Sequence, residues 1–317
     1  MSPDLATIAH PSFVDIPGQQ PAVSLPLQAG SCHRDHDVAI IDPFTGRERD
    51  MLCTIEVAFP LPASQRGLHM SRMEDALHEV ATPLSLDGYA KALAEACARL
   101  QGSPSCRVRV EGRLERTLLT PVSKRPTHQF LRVWAEASVG ERSGTRIGMS
   151  APFFNACPCA QRHAMREFAD ALDKRRLPLD ILGLAPLQSH TNRGDLRIET
   201  AGVTFADLAS ILGAASPSPT ELLKGEDEHA LVKAAQARGM FVEDIVREAA
   251  LQALLLLRGK VPPATPLLIA AHAEESVHVH HLFADITTTV GELQRQLQDR
   301  PIDYNNVILP LPPPGTR

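Results

Sequence analysis

The stretch Cys53-Thr54-Ile55-Glu56-Val57-Ala58-Phe59 alternates apolar residues with polar or small ones. Because successive side chains of a β-strand point to opposite faces of a sheet, this alternation predicts a half-buried strand. A shorter β-branched and apolar run from Asp37 to Asp42 precedes it and predicts another strand. Two strands are therefore expected early in the chain.

The segment after these strands has the periodicity of a helix. Ser85 is a favourable N-cap residue, and Gly102 ends an apolar pattern with helical spacing, which comprises Leu86, Tyr89, Leu93, Cys97 and Leu100. Apolar residues then alternate again at 107–111 and 131–137, and a third such run lies near Gly148. The first half of the chain thus reads as two strands, a helix and further strands.

The second half of the chain repeats this order loosely. A helix is predicted from Ala160 to Arg176, and a strand from Leu196 to Thr200 follows it. The stretch 205–257 is rich in helical patterns, and strands are predicted at 267–271 and from Val277 to Leu282. No repeated residues link the halves, but the order of elements predicts an α+β fold with antiparallel sheets.

The composition excludes several classes of protein and of partner. The chain has 317 residues, of which 44% are apolar and 22% are charged, as in globular proteins with a sizeable core. This length favours one large domain or two smaller ones. A net charge of −5, the lack of a long basic run and an aromatic content of 4% argue against nucleic acid as a partner.

The sequence also lacks membrane and secretion signals. No apolar run approaches the roughly 20 residues needed to cross a bilayer. The first 27 residues contain five prolines and lack the basic and apolar regions of a signal peptide. We therefore expect an extended N-terminal arm, no membrane partner and a cytoplasmic protein.

The cysteines point to chemistry at one place. Six cysteines in a chain of this length do not suggest a disulfide framework, and thiols in a reducing compartment are more often core residues or metal ligands. Cys157-Pro158-Cys159 follows a strand-like run, so it is expected at a strand end, where thiolates can converge on an ion. Two loop cysteines or a redox pair are the alternatives. His190 and Glu228 offer further ligand types downstream.

The segment from Glu275 to His281 concentrates imidazoles. A two-residue period predicts that Val277 and Val279 enter the core, while His278 and His280 share the opposite face. Two adjacent imidazoles suit metal ligation or proton transfer near neutral pH. A solvated polar face that happens to carry histidines is the alternative.

Two further segments have both a functional and an ordinary interpretation. Glu243 lies in the first turn of a predicted helix, where an acidic residue commonly just complements the helix dipole. Gly67-Leu68-His69-Met70-Ser71-Arg72 precedes a short helical pattern, and its amides, hydroxyl and guanidinium can hold a phosphate. A plain N-cap with a nearby arginine explains this segment equally well.

Taken in order, six segments between about residues 35 and 285 resemble motifs of the GTP cyclohydrolase IB family. Arg66 to Arg72 resembles Lys/Arg-Gly-x-x-Met-Ser-Arg, Cys157-Pro158-Cys159 resembles Cys-Pro-Cys, and Ser189 to Gly194 resembles His-Asn-Gln-Arg-Gly. The other three are similar to Leu-Lys-Arg-x-Asp-Glu, Phe-Val-Glu-Asp-Met-Val-Arg and Glu-Ser-Ile-His-x-His, and they lie at 223–228, 241–247 and 275–280.

The resemblance implies a bimodular tunnelling fold, with antiparallel sheets and helices packed on one face. It implies a homotetramer with active sites near subunit boundaries. The expected division is an extended arm at 1–30, a first module at 31–156, a metal-ligand turn and helical insertion at 157–189, and a second module with a Pro-rich tail at 190–317.

The resemblance also implies an activity, namely metal-dependent hydrolysis of GTP to 7,8-dihydroneopterin triphosphate and formate, the first step of folate and pterin biosynthesis. Zn, Mn or Fe would be the divalent metal. The implied residues are, by role, Cys157, His190 and Glu228 as metal ligands, Glu243, His69, Ser71 and Arg72 as substrate-binding residues, and Cys157, Cys159, His278 and His280 as catalytic residues.

Three departures from the family motifs leave alternatives open. A long helical segment separates Cys159 from His190, and His163 lies nearer in sequence. Thr191-Asn192-Arg193 stands where the family has Asn-Gln-Arg, and Lys224-Gly225-Glu226-Asp227-Glu228 stands where it has Lys-Arg-x-Asp-Glu. One alternative is an enzyme of the same fold whose reaction stops at a cyclic-phosphate product, as in archaeal members. The other is a catalytically silent paralogue that binds metal or a pterin.

Overall fold

A computed structural model of the chain describes residues 15–141, 143–178, 188–221 and 224–298. Eight strands form one antiparallel sheet, in which each strand pairs with its neighbours in sequence. Their bounds are Leu27–Ile41 (β1), Glu48–Leu61 (β2), Cys106–Leu119 (β3), Pro126–Val139 (β4), Gly144–Ala156 (β5), Thr191–Thr200 (β6), Pro266–Glu274 (β7) and Leu282–Thr289 (β8).

Seven helices occupy the described part of the chain. Their bounds are Met70–Glu79 (α1), Leu86–Gln101 (α2), Pro158–Lys174 (α3), Phe205–Ala215 (α4), Gly225–Ala237 (α5), Val242–Leu257 (α6) and Val290–Gln298 (α7). Two strands, helices and two strands therefore follow one another twice along the chain. This order fits the bimodular tunnelling fold that the resemblance implies.

The core lies between the sheet and the helices. Alternate residues of the strands are buried against α2, α4 and α6, and together they form one hydrophobic cluster. The alternation from Cys53 to Phe59 that predicts a strand is confirmed, because Cys53, Ile55, Val57 and Phe59 are buried within β2. The predicted α+β fold, with antiparallel strands and helices on one face, is confirmed as well.

The helix predicted between Ser85 and Gly102 is also confirmed, with both of its end signals. The Ser85 hydroxyl accepts a hydrogen bond from the backbone N–H of Gly88 at 3.2 Å, which satisfies one of the free amides of the first turn. Gly102 adopts a left-handed conformation with φ +66°. A residue without Cβ is favoured there, so the helix ends at that position.

The face of the sheet opposite the helices is polar and built around Trp134. The indole is 1% exposed, and its Nε1 donates a hydrogen bond to Glu199 Oε2 at 2.8 Å. The guanidinium carbons of Arg109 and Arg197 lie 4.9 and 5.3 Å from the ring centre. At Gly148, an added Cβ would lie 2.1 Å from the indole, so the ring occupies the space that a side chain would need.

The strand predicted from Val277 to Leu282 is wrong. Strand β8 begins only at Leu282, and the residues before it form the loop that joins β7 to β8. Val277 and Val279 are 60% and 105% exposed instead of entering the core. The physical reason is that β8 pairs antiparallel with β7, so the chain must reverse direction in the segment that carries the histidines.

The N-terminal strand is longer than predicted, since β1 begins at Leu27 and pairs with β2 over its polar half. Parts of the predicted arm, helical insertion and Pro-rich tail fall outside the described residues. The division into modules stays a prediction. Within the described ranges, no helix combines the length and the apolar character needed to span a membrane.

Candidate metal centre

Cys157 and His190 lie side by side at one end of the central strands β5 and β6. Strands β5 and β6 pair up to Ala156 and Thr191, so the residues just beyond them are neighbours. The backbone N–H of Cys157 donates to the carbonyl of His190 at 3.1 Å. The Ser189 hydroxyl donates to the carbonyl of Cys157 at 2.7 Å. The long sequence gap between the two predicted ligands is therefore closed by strand pairing.

The start of α6 is held at the same end of the strands. The backbone N–H of Met240 donates to the carbonyl of Ala156 at 3.1 Å, and the Asn155 amide donates to the carbonyl of Met240 at 2.7 Å. Glu243 follows in the first turn of α6, where it is exposed. It lines a groove of about 880 Å³ together with Arg247 and Asp285. This volume is in the range of roughly 300–1,000 Å³ typical of ligand pockets.

The loop between β7 and β8 completes a cluster of metal-binding side chains. Ligand atoms of His190, Glu275 and His278 all lie within 4.8 Å of one another. Across the described ranges, these three residues are the one such group of His, Cys, Asp or Glu. The rings of His278 and His280 are stacked with centres 5.2 Å apart, so the two imidazoles are adjacent, although they lie in a loop rather than on a strand.

A buried amide connects this loop to β6. The Asn192 side chain is 4% exposed, and its Nδ2 donates to Glu275 Oε1 at 2.7 Å. Its Oδ1 accepts from the backbone N–H of Ser276 at 3.1 Å. The other carboxylate oxygen of Glu275 is buried and has no hydrogen-bond partner among the described atoms. An unpaired buried carboxylate oxygen is costly, and a cation is one group that can satisfy it.

Two imidazoles and a carboxylate are a donor set that suits Zn, Mn or Fe. The side chains present therefore fit a divalent cation, as the resemblance implies. Glu275 and Asn192 were not predicted as site residues from the sequence. The position of Glu275 beside the histidines could have indicated it as a ligand, since a carboxylate there adds a hard oxygen ligand to two nitrogens.

Cys159 is placed differently from Cys157. It is exposed in the first turn of α3 and lines a pocket of about 330 Å³ with Arg162, His163 and Phe241. His163 is exposed on the same helix and is not a member of the three-residue cluster. The catalytic role of Cys159 stays a prediction.

Glu228 is not part of the cluster. It is exposed in the first turn of α5, and its neighbour Asp227 is buried against the turn between β3 and β4. The other end of α5 reaches α3, because the Gln161 amide donates to the carbonyl of Gln236 at 2.6 Å. Eight residues of helix, about 12 Å, separate Glu228 from Gln236. The ligand role of Glu228 stays a prediction.

His69, Ser71 and Arg72 lie beyond the opposite ends of the strands. The loop that carries them follows the end of β2, and β2 runs antiparallel to β5, whose end adjoins the His190 cluster. His69 Nε2 lies 2.8 Å from a carboxylate oxygen of Asp15. This hydrogen bond from His69 is the main cause that lowers the pKa of Asp15.

The sequence of this chain is similar to those of GTP cyclohydrolases. The profile of the family described as "Type I GTP cyclohydrolase folE2" matches residues 13–284. GTP cyclohydrolase MptA of Methanothermobacter thermautotrophicus is 29% identical over 274 residues, which cover 78% of this chain and 85% of the relative. GTP cyclohydrolase MptA of Methanocorpusculum labreanum is 27% identical over 310 residues, which cover 90% and 99%.

Among solved structures, uricase from Arthrobacter globiformis aligns with 85% of this chain and 95% of its own, at 9% identity and a TM-score of 0.49.

Proposed function

We propose that this chain, which belongs to the type I GTP cyclohydrolase folE2 family, opens the guanine ring of GTP with the help of a divalent cation. The observation that carries this proposal is the group of His190, Glu275 and His278 at the same strand ends as Cys157. Its donors fit the metal dependence that the family resemblance implies. Cys157 and Glu228 remain alternative ligands in this proposal, as the family resemblance implies.

The chemistry that a cation supplies at such a site is activation of water, because coordination lowers the pKa of the water towards neutrality. Side chains of the protein then donate and accept the protons of the reaction. Because His278 belongs to the three-residue cluster, His280, which is stacked on it, is the candidate to donate a proton to the imidazole part of the guanine as the ring opens at C8. Cys159 is the candidate for later proton transfers. The carbon removed leaves as formate.

Glu243 supports the selectivity for guanine in this proposal. A carboxylate can accept two hydrogen bonds from the N1–H and the 2-amino group of guanine, and adenine offers neither donor in that arrangement. Its exposed position on the wall of a large groove is compatible with this role.

The triphosphate part of the proposal requires a second copy of the chain. His69, Ser71 and Arg72 lie beyond the opposite ends of the strands from Glu243, and a strand of 13 residues such as β5 is roughly 40 Å long. A nucleoside triphosphate is much shorter than this. One chain therefore cannot contact the guanine with Glu243 and the phosphates with Arg72, and a homotetramer with sites between subunits is part of the proposal.

Two products are compatible with the family, 7,8-dihydroneopterin triphosphate and a cyclic phosphate. The test is to strip the full chain of metal, reload it with Mn, Fe or Zn, and incubate it with GTP. Formate release and a fluorescent pterin after oxidation are expected. Treatment with a phosphatase before analysis distinguishes the two products, because it removes a triphosphate chain but leaves a cyclic phosphate in place. Metal-loaded protein that releases no formate with any of the three metals would support the silent paralogue instead.

A further inference from the structure

The two oxygens of the Glu275 carboxylate have different surroundings. Oε1 accepts a hydrogen bond from Asn192 Nδ2 at 2.7 Å, whereas Oε2 is buried and meets no donor in the part of the chain that the structure describes. A hydrogen bond to one oxygen fixes the direction in which the other one points. Glu275 thus presents one buried, unsatisfied anionic oxygen beside two imidazoles.

The orientation of the Asn192 amide is set by its partners. Its Nδ2 must face the acceptor Glu275, and its Oδ1 must face the backbone N–H of Ser276, which can only donate. Because the side chain is 4% exposed, water does not compete for these bonds. Asn192 therefore fixes both the carboxylate of Glu275 and the start of the loop that carries His278.

The same network favours one ring nitrogen of His190 as a ligand. Nδ1 of His190 lies 3.4 Å from Asn192 Oδ1 and 3.3 Å from the Ser276 hydroxyl. A histidine that binds a metal usually donates its other ring N–H to a polar group, which fixes the tautomer. With Nδ1 engaged in this way, Nε2 of His190 is left for the cation.

We propose that Glu275 is a ligand of the cation, through Oε2, and that Asn192 is the positioning residue that aims it. This inference rests on the metal dependence proposed above, but it adds a ligand that the family resemblance does not supply. Three ligands at about 2.1 Å in a tetrahedral site lie roughly 3.4 Å apart. Ligand atoms that already lie within 4.8 Å of one another need only small side-chain rotations to reach that geometry.

The test measures Co²⁺ binding to the full-length, metal-stripped protein by calorimetry and by visible absorption of the bound ion. Glu275→Gln removes the charge and keeps the shape, and Asn192→Ala removes the positioning amide. Glu274→Gln is the matched control, because Glu274 is the exposed acidic neighbour and loses the same charge. We expect Asn192→Ala to weaken binding roughly 10–100-fold, the usual effect of losing an outer partner of a ligand.

Glu275→Gln is expected to weaken binding at least as much and to change the absorption spectrum, while Glu274→Gln matches the wild type. In the Glu275→Gln background, Asn192→Ala should have little further effect, because the two residues act through one carboxylate. Thermal unfolding confirms that each variant is folded. If Glu275→Gln does not fold, Glu275→Asp is measured, since retracting the carboxylate should also weaken binding and shift the spectrum.

Unchanged Co²⁺ affinity and spectrum in a folded Glu275 variant would overturn the proposed ligand. That result is distinguishable from failure of the proposed function. A wild-type protein that binds Co²⁺ through Glu275 but does not consume GTP would contradict the cyclohydrolase activity and leave the ligand assignment intact.

Discussion

The Asp227 carboxylate accepts a hydrogen bond from the Ser123 hydroxyl at 2.5 Å and another from the Ser123 backbone N–H at 3.0 Å. It also accepts from the backbone N–H of Val122 at 2.8 Å. These contacts fasten the first turn of α5 to the hairpin between β3 and β4. The pairing decides where Glu228, the next residue, is held.

The pH dependence of this contact can be predicted. Burial alone would raise the pKa of Asp227, but the hydrogen bonds from Ser123 and Val122 lower it to about 2, from 3.8. A carboxyl group with a lowered pKa stabilises the fold above its unfolded pKa, and this contribution is lost as the pH falls through the folded pKa. We expect Asp227→Asn to lower the melting temperature by roughly 3–10 °C at pH 7.

The difference in melting temperature between the wild type and Asp227→Asn should narrow as the pH falls from about 4 to 2, because the wild-type carboxyl group then also becomes neutral. Glu226→Gln is the control, since Glu226 is exposed in the same turn. Calorimetric melting curves at a series of pH values provide the measurement. A difference that stays constant over this range would contradict the assigned pKa.

Gly148 should tolerate no side chain. A Cβ at this position would lie 2.1 Å from the Trp134 ring, whereas at Gly144, in the same strand, it would meet no described atom within 4 Å. We expect Gly148→Ala to lower the free energy of unfolding by about 1–3 kcal/mol through overpacking, and Gly144→Ala to change it little. Urea unfolding can be followed by the fluorescence of Trp134, the single tryptophan of the chain. Equal stability of the two variants would show that the indole can move aside.

The fold could be predicted from local patterns because its strands and main helices are amphipathic. The alternation around Ile55 and the end signals of α2 at Ser85 and Gly102 each act within a few residues of sequence. The same rule failed at the histidine loop, where Val277 and His278 also alternate. Alternation alone cannot tell a strand from a hairpin loop, because the turn is decided by pairing with β7.

The candidate site could be predicted only in part, for a related reason. Cys157 and His190 stand out by residue type, but the contact between them depends on the pairing of β5 and β6. The contact of Asn192 with Glu275 joins β6 to a loop more than eighty residues later, and no sequence spacing indicates it. Residue types marked the candidates, and only tertiary structure showed which of them meet.

The proposed anchoring of guanine by Glu243 can be separated from metal binding. Glu243→Ala is expected to weaken GTP binding roughly 100-fold or more, because the guanine donors lose their acceptor, and to leave Co²⁺ binding unchanged. Glu226→Gln serves as the control for loss of an exposed acidic residue at the start of a helix. Separate calorimetric titrations with GTP and with Co²⁺ measure the two affinities. An unchanged affinity for GTP in Glu243→Ala would remove this residue from the substrate site.

The placement of Arg72 and Glu243 at opposite ends of the strands predicts complementation between subunits. Arg72→Ala and Glu243→Ala should each be inactive alone, but oligomers that contain both variants should regain up to about a quarter of wild-type activity, because sites with an intact residue from each subunit form by chance. Co-expression with two affinity tags isolates the mixed oligomers. Mixed oligomers of Arg72→Ala and His69→Ala should regain no activity, since both changes damage the same substrate-binding segment and every subunit then lacks one of its residues. Inactive mixed oligomers of the first pair would contradict a shared site.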